Sequence, residues 1–222
     1  MIKAIVFDFD GTIFDTEGPE FKSYQEIFAE HGHELDLNIW SQGVGTVDGF
    51  HPFDHLEACT GQAVNRDALR VLQKEKYGRF IAEETILPGV EEYLKAAKEL
   101  GLHVGLASSS SRAWVTKHLD QLNVAHYFDV VRVRDDVRKA KPDPELYRQV
   151  IDHFGISPQE AIAFEDSPNG ALAAKAAGLY CVTVPNGVTR GLPFCDIDIR
   201  LQTMSDMKLD ALIQQLLERS SQ

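Results

Sequence analysis

The sequence predicts a three-layer α/β fold, in which helices cover a parallel sheet and an all-helical cap is inserted after the first strand. Three features predict it. From Pro88 onward, short apolar strands alternate with amphipathic helices, a pattern typical of βαβ units. A further apolar run, AIVF, stands near the N-terminus. The segment between this run and Pro88 has helical rather than strand periodicity.

Charge and composition restrict the kinds of protein this chain can be. Its 222 residues are 44% hydrophobic and 25% charged, which suits one good core and a smaller second unit. A net charge of −12 argues against nucleic acid or an anionic membrane as a partner. No apolar run approaches the roughly 18 residues of a membrane helix. Acids follow the first apolar residues directly, so we expect no signal peptide and a cytoplasmic location.

Cysteine and histidine give little support for a zinc or disulfide site. Cys59, Cys181 and Cys195 are widely spaced and form no C-x-x-C motif, so we expect free thiols. His51 and His55 have the i, i+4 spacing of one helix face, with no third ligand near them. A solvated helix face is therefore favoured over a metal site.

Three helices are predicted in the inserted segment. FKSYQEIFAEHG places its apolar residues at helical spacing and ends at Gly32. FDHLEACTG and DALRVLQKEKYGRFI have similar amphipathic patterns. Turn-forming residues join the segment to the rest of the chain at both ends. We predict an α/β core of residues 1–16 and 84–222 and a helical cap of residues 17–83.

The later elements complete the core. PGVEEYLKAAKELG, SRAWVTKHLDQL, ELYRQVIDHFG, SPNGALAAKAAG and DMKLDALIQQLLE are predicted as helices, with Pro or Gly at several of their ends. The strands between them are HVGLAS, FDVVRV, AIAF and YCVTVP. Strands separated by helices in this way form a parallel sheet with helices on both faces.

Polar side chains follow four of the predicted strands. In parallel α/β sheets, ligands bind outside the carboxyl ends of the strands, so these residues are expected to share one rim. The strands are followed, in chain order, by Asp8 and Asp10, by Ser108 to Ser111, by Lys139 and Lys141, and by Glu165 and Asp166.

This inventory suits phosphoryl transfer. Converging carboxylates bind a hard divalent cation, and Mg²⁺ accepts carboxylate, water and phosphate oxygens. A carboxylate can attack phosphorus and form an aspartyl-phosphate. A cation and a lysine would neutralise the developing charge, while hydroxyl and backbone N–H groups would hold the phosphate oxygens. A second acid could protonate the leaving oxygen and later activate water.

The same residues resemble a known family. DFDGT, a serine after a strand, KP before a helix and ED after a strand occur in the order of the four motifs of the haloacid dehalogenase superfamily. The helical insertion resembles the C1 cap of β-phosphoglucomutase-like and phosphoglycolate phosphatase-like members. The resemblance covers essentially the whole chain and implies a Rossmann-like core.

The resemblance implies roles for the acids and the lysine. Asp8 would be the nucleophile and a Mg²⁺ ligand. Asp10 would be the general acid/base, with its backbone carbonyl on the metal. Glu165 and Asp166 would complete the metal site. Lys141 would pair with the nucleophile and the phosphate.

The neighbouring residues have supporting roles in that reading. Gly11 would permit the tight turn and Thr12 would brace the loop. Ser108 and the backbone N–H of Ser109 would bind phosphate.

Several residues near these motifs also have purely structural interpretations. Ser110 or Ser111 is expected to be a helix N-cap, and Ser167 fits the same role. Lys139 is the weaker alternative to Lys141, because Lys141 adjoins Pro142. Asp15 is interpreted as a turn or hinge residue.

Two positions of the cap help to distinguish a hydrolase from a mutase. In β-phosphoglucomutase a histidine and an arginine of the cap help to engage the substrate, and the matching positions here are Glu20 and Thr46. Because neither supplies a cation, we expect a phosphatase, with a phosphosugar mutase as the alternative. A phospho-acceptor or binding protein without turnover is a second alternative.

The cap is expected to contact the leaving group. Its candidates are Glu20, the loop from Ser41 to Thr46, Trp40, and Lys74 or Lys76, although Trp40 also fits the cap core and the lysines a solvated surface. The absence of a basic cluster in the cap sequence favours a small phosphorylated metabolite such as a sugar or polyol phosphate. We expect a monomer, with a dimer as the alternative.

Overall fold

The computed structural model describes residues 1–41 and 50–219, and its core is one parallel sheet. The strands within those ranges lie in the order β3-β2-β1-β4-β5-β6. Their bounds are β1 Ala4–Phe7, β2 His103–Ala107, β3 Val130–Arg132, β4 Ala161–Glu165, β5 Tyr180–Thr183 and β6 Ile199–Arg200. The predicted α/β fold is confirmed, and the N-terminal strand lies near the middle of the sheet.

In the described part of the chain between β1 and β2, the structure has four helices. They are α1 Glu17–Glu30, α2 Leu37–Ser41, α3 Pro52–Thr60 and α4 Arg66–Ile81. The first begins earlier than the pattern predicted, because the Asp15 carboxylate accepts the Gly18 N–H at 2.9 Å. These helices share a hydrophobic cluster that includes Ile27, Phe28, Trp40, Leu56 and Leu69, and Val188 from the part of the chain after β5 joins it.

The remaining helices cover the two faces of the sheet. They are α5 Val90–Glu99, α6 Arg112–Gln121, α7 Glu145–Phe154, α8 Pro168–Ala176 and α9 Leu209–Arg219. Successive side chains of β1 point to opposite faces. Ile5 and Phe7 pack in the cluster formed with α5, α6 and α9, while Ala4 and Val6 pack in the cluster formed with α7 and α8.

Strand register brings the predicted motifs to one edge of the sheet. Phe7 pairs with Leu106 of β2 and with Phe164 of β4, so the residues after these strands are neighbours. The Asp8 N–H donates to the Phe164 carbonyl at 2.9 Å. The Ser108 N–H donates to the Arg132 carbonyl at 3.0 Å. The edge is thus built by the sheet itself and not by loop packing.

The short strand β6 was not predicted from the sequence. Two residues are too few to show the alternation of apolar and polar side chains that identifies a strand. Within residues 1–41 and 50–219, every helix falls short of the length and apolarity needed to cross a bilayer.

Candidate active site

Lys141 lies between two buried carboxylates at the carboxyl edge of the sheet. Its Nζ donates to Asp8 Oδ1 at 2.5 Å and to Glu165 Oε1 at 2.6 Å. Tyr147 of α7 donates its hydroxyl to the same Glu165 oxygen at 2.5 Å. The Lys141 side chain is 6% exposed, so these are desolvated contacts and not surface ion pairs. Residues from β1, β4 and the loop before α7 therefore meet around one ammonium group.

Three carboxylates form a compact group beside this lysine. Ligand oxygens of Asp8, Glu165 and Asp166 lie within 4.8 Å of one another, and all three residues are buried. Lys141 supplies one positive charge to them, which leaves an excess of two negative charges. Glu165 Oε2 is buried and has no hydrogen-bond partner in the described part of the chain. An unpaired carboxylate oxygen and this charge excess fit a divalent cation with oxygen ligands.

The pKa values reflect the same imbalance. Burial raises the pKa of Asp8, and the Lys141 ammonium opposes part of the rise. Burial raises the pKa of Glu165 to about 7 and that of Asp166 well above its ordinary range. Burial by itself would lower the pKa of Lys141, but Asp8 and Glu165 outweigh it and raise that pKa. One ammonium group does not satisfy three desolvated carboxylates.

Asp166 is held by residues from two other loops. Thr12 donates its hydroxyl to Asp166 Oδ1 at 3.4 Å, and the Asn186 amide donates to Oδ2 at 2.9 Å. The same amide contacts Glu17 Oε2 at 2.9 Å. Gly11 has φ +78°, and a Cβ there would lie 2.4 Å from Asp166 Oδ2. Glycine is therefore required both for the turn and for the approach of Asp166.

Sequence reasoning missed Asn186, although a signal was available. It follows β5 closely, and residues that follow the carboxyl ends of parallel strands are those that line ligand sites.

Asp10 points toward the residues that follow β2. Ser110 donates its hydroxyl to Asp10 Oδ2 at 2.6 Å, and Ser108 reaches the same oxygen at 3.5 Å. The Trp114 indole donates to Oδ1 at 2.8 Å. Ser108 is fully buried, whereas Ser109 lies on the wall of the adjoining cavity. The serine cluster thus contacts the second acid through Ser108 and Ser110.

The residues that the sequence assigned to helix caps, turns or the surface are found in those roles. Ser111 is the N-cap of α6 and accepts the Trp114 N–H, and Ser167 is the N-cap of α8 and accepts the Gly170 N–H. Asp15 accepts a backbone N–H at the start of α1. Lys139 is exposed, whereas Lys141 is the lysine beside Asp8.

A cavity of about 560 Å³ opens above this site. Its floor includes Asp8, Asp10, Lys141 and Asp166, and its upper walls come from the helices inserted after β1 and from the core. The wall residues include Glu17, Glu20, Gln73, Tyr77, Ser109, Trp114, Arg134 and Asn169. Glu20 is open to the solvent of the cavity, and partial desolvation together with Asp10 raises its pKa.

The other cap candidates lie elsewhere. Trp40 is 7% exposed and packs in the hydrophobic cluster of α1 to α4. Lys76 pairs with Glu26 and Glu30 at 2.7 Å each, and Lys74 is exposed. Thr46 and its neighbours 42–49 lie outside the described residues.

Known proteins resemble this chain over most of its length. A family model described as haloacid dehalogenase-like hydrolase matches residues 2–178. A Bacillus subtilis protein named "Putative phosphatase YhcW" is 49% identical over 216 residues, which cover 97% of this chain and 98% of that protein. The Thermotoga maritima protein named "Phosphorylated carbohydrates phosphatase" is 30% identical over 181 residues, with coverage of 80% and 82%.

A solved structure of another protein has the same fold as this chain. It belongs to a Thermotoga maritima protein described as "putative beta-phosphoglucomutase" and has a TM-score of 0.75 at 26% identity. The superposition covers 96% of this chain and 99% of that chain.

Proposed function

The chain belongs to the haloacid dehalogenase-like hydrolase family and is a phosphoric monoester hydrolase, and on that premise we propose that it is a Mg²⁺-dependent phosphatase of sugar or polyol phosphates. The observation that carries the proposal is the buried pairing of Lys141 with Asp8 beside Glu165 and Asp166. A carboxylate held against an ammonium group at the floor of an open cavity is placed to meet a phosphate entering from above.

In the first step, Asp8 acts as the nucleophile. One of its carboxylate oxygens forms a bond to phosphorus while the bond from phosphorus to the leaving oxygen breaks. Asp10 gives its proton to that leaving oxygen. Lys141 and the Ser109 N–H stabilise the charge on the transferred group, which is left as an aspartyl-phosphate on Asp8.

In the second step, Asp10 acts as the base. It takes a proton from water as the water oxygen bonds to phosphorus and the bond to Asp8 breaks. The products are inorganic phosphate, a free Asp8 carboxylate and a protonated Asp10, so one cycle restores the starting state.

The site also has the groups to hold Mg²⁺. Asp8, Glu165 and Asp166 would contribute carboxylate oxygens and Asp10 its backbone carbonyl. The bound ion supplies positive charge that stabilises the phosphoryl group during transfer. Thr12 and Asn186 would orient Asp166 toward this position.

The walls of the cavity favour a neutral, hydroxyl-rich leaving group. Glu20 and Gln73 can hydrogen-bond sugar hydroxyls. A carboxylate at Glu20 would repel a second phosphate. We propose that residues 17–83 act as a cap over the core of residues 1–16 and 84–222, since Glu20, Gln73 and Tyr77 all come from it. The name of the Thermotoga maritima phosphatase supports the same class.

A phosphosugar mutase is the second candidate. Arg134 is an exposed cation at the cavity, and it could receive a second phosphate. The similarity to the protein described as a phosphoglucomutase also favours it. Incubation of a hexose monophosphate with a trace of hexose bisphosphate, followed by ³¹P NMR, separates the two. Isomerisation without phosphate release would identify a mutase.

A panel of phosphorylated metabolites assayed with Mg²⁺ tests the proposal. We expect the highest kcat/KM for monophosphorylated sugars or polyols and low values for nucleotides and diphosphorylated sugars. Asp8→Asn should lower phosphate release by about a thousandfold or more, because the nucleophile is removed. Asp120→Asn, at an exposed position of α6, is the matched control. Normal release from Asp8→Asn would refute the assignment.

A further inference from the structure

Among the described residues that hydrogen-bond the Asp10 carboxylate, Trp114 is the one whose group can act only as a donor. Ser110 and Ser108 contact Oδ2 through hydroxyl groups, which can either donate or accept. Trp114 contacts Oδ1 through an indole N–H at 2.8 Å, and this group can only donate. The indole therefore determines the direction of the Asp10 side chain more strictly than the two hydroxyls do.

The indole of Trp114 is itself held on two sides. The ring of His118, one turn further along α6, lies 4.2 Å away between centroids in an edge-on arrangement. The ring of Tyr77, from α4 of the cap, lies 6.2 Å away with an angle of 23° between the planes. His118 in turn stacks on Phe14 of the core at 5.0 Å. The Trp114 indole is thus contacted by the core through His118 and by the cap through Tyr77.

We propose that Trp114 is the positioning residue of Asp10, and that Tyr77 holds the indole in place from the cap. The inference rests on the proposed function, because Asp10 is the acid of that mechanism. By fixing Oδ1, Trp114 sets the orientation of the carboxyl group that passes its proton to the leaving oxygen. The cap thereby supports the acid indirectly, through the contact of Tyr77 with Trp114, in addition to enclosing the substrate.

Leaving groups of different basicity provide the activity test. The alkoxide of a sugar or polyol phosphate needs a proton to leave, whereas p-nitrophenolate does not. In Trp114→Phe the ring remains against Tyr77 but the N–H is lost. We expect kcat/KM for an alkyl phosphate to fall about tenfold, which corresponds to about 1.4 kcal/mol. The value for p-nitrophenyl phosphate should change less than about twofold.

The second tryptophan provides a matched control. Trp40 packs in the hydrophobic cluster of α1 to α4, and its indole N–H has no hydrogen-bond partner among the described residues. Trp40→Phe should leave both substrates at wild-type rates. Tyr77→Ala should repeat the selective loss of alkyl phosphate activity in weaker form. Equal losses for both substrates in Trp114→Phe, or no loss for either, would overturn the proposal.

A measurement without turnover separates this inference from the proposed function. The chain has 2 tryptophans, so its ¹⁵N–¹H spectrum contains two indole signals, which Trp114→Phe assigns. Asp10→Ala should shift the Trp114 signal and speed its exchange with solvent, while the Trp40 signal stays in place. An unmoved Trp114 signal overturns the inference whatever the activity. A shifted signal in a protein without phosphatase activity would refute only the proposed function.

Discussion

Gly170→Ala should destabilise this protein, although glycine-to-alanine changes within helices usually stabilise. A Cβ at Gly170, in the first turn of α8, would lie 1.8 Å from Glu165 Oε2 and 2.1 Å from its Cδ. Ordinary contacts between such atoms are about 3.5 Å, so the carboxylate would have to retreat by about 1.5 Å or more. It would then lose its bonds to Lys141 and Tyr147.

The expected cost follows from these contacts. Breaking a buried ion pair costs about 3 to 5 kcal/mol. The gain in helix propensity is at most about 1 kcal/mol. The net loss is therefore about 2 to 4 kcal/mol. For a chain of this size each kcal/mol lowers Tm by about 2 to 4 °C.

Gly78→Ala is the matched control for this experiment. Gly78 lies within the exposed side of α4, and a Cβ there would have nothing within 4 Å. It should gain about 0.5 to 1 kcal/mol. Urea and thermal unfolding in EDTA measure both variants without interference from metal binding. Calorimetric titration with Mg²⁺ should also show weaker binding for Gly170→Ala alone. Equal stability and equal Mg²⁺ affinity in the two variants would refute the placement of Glu165.

Two further predictions concern the acids around the metal position. Burial raises the pKa of Glu17 from 4.5 to about 8, so the stability that it contributes is complete below about pH 4.5 and is lost as the pH rises through about 8. In EDTA, Tm should therefore fall between pH 5 and pH 8.5, and Glu17→Gln should reduce that fall; an unchanged slope would contradict the burial of Glu17. Asn186→Ala should weaken Mg²⁺ binding about tenfold in calorimetric titration, because Asp166 loses its amide partner at 2.9 Å, and wild-type affinity would count against this orienting role.

The sheet and the loops that carry the motifs could be predicted from the sequence, because the local pattern of apolar and polar residues determines them. The run AIVF before Asp8 and the run AIAF before Glu165 are both buried strands of the sheet. Parallel pairing then brings their carboxyl ends together, and no knowledge of side-chain packing is needed for that step.

Residues whose role depends on contacts between elements distant in sequence could not be predicted in this way. Trp114 and Tyr147 read as members of amphipathic helices, and only the packed structure shows that one contacts Asp10 and the other Glu165. Asn186 stands in a Pro-Asn-Gly turn, where asparagine is common for local reasons. Its contact with Asp166 depends on how the loop after β5 packs against the first loop.

Acid-quenched mass spectrometry of Asp10→Asn with p-nitrophenyl phosphate and Mg²⁺ tests the central claim most directly. This substrate leaves without a proton, while the variant cannot activate water, so the phosphorylated enzyme should accumulate. We predict one phosphoryl group per chain, located on the peptide that contains Asp8 and absent when Asp8 is also changed to Asn. A phosphoryl group on another residue, or turnover without any phosphorylated enzyme, would contradict the account.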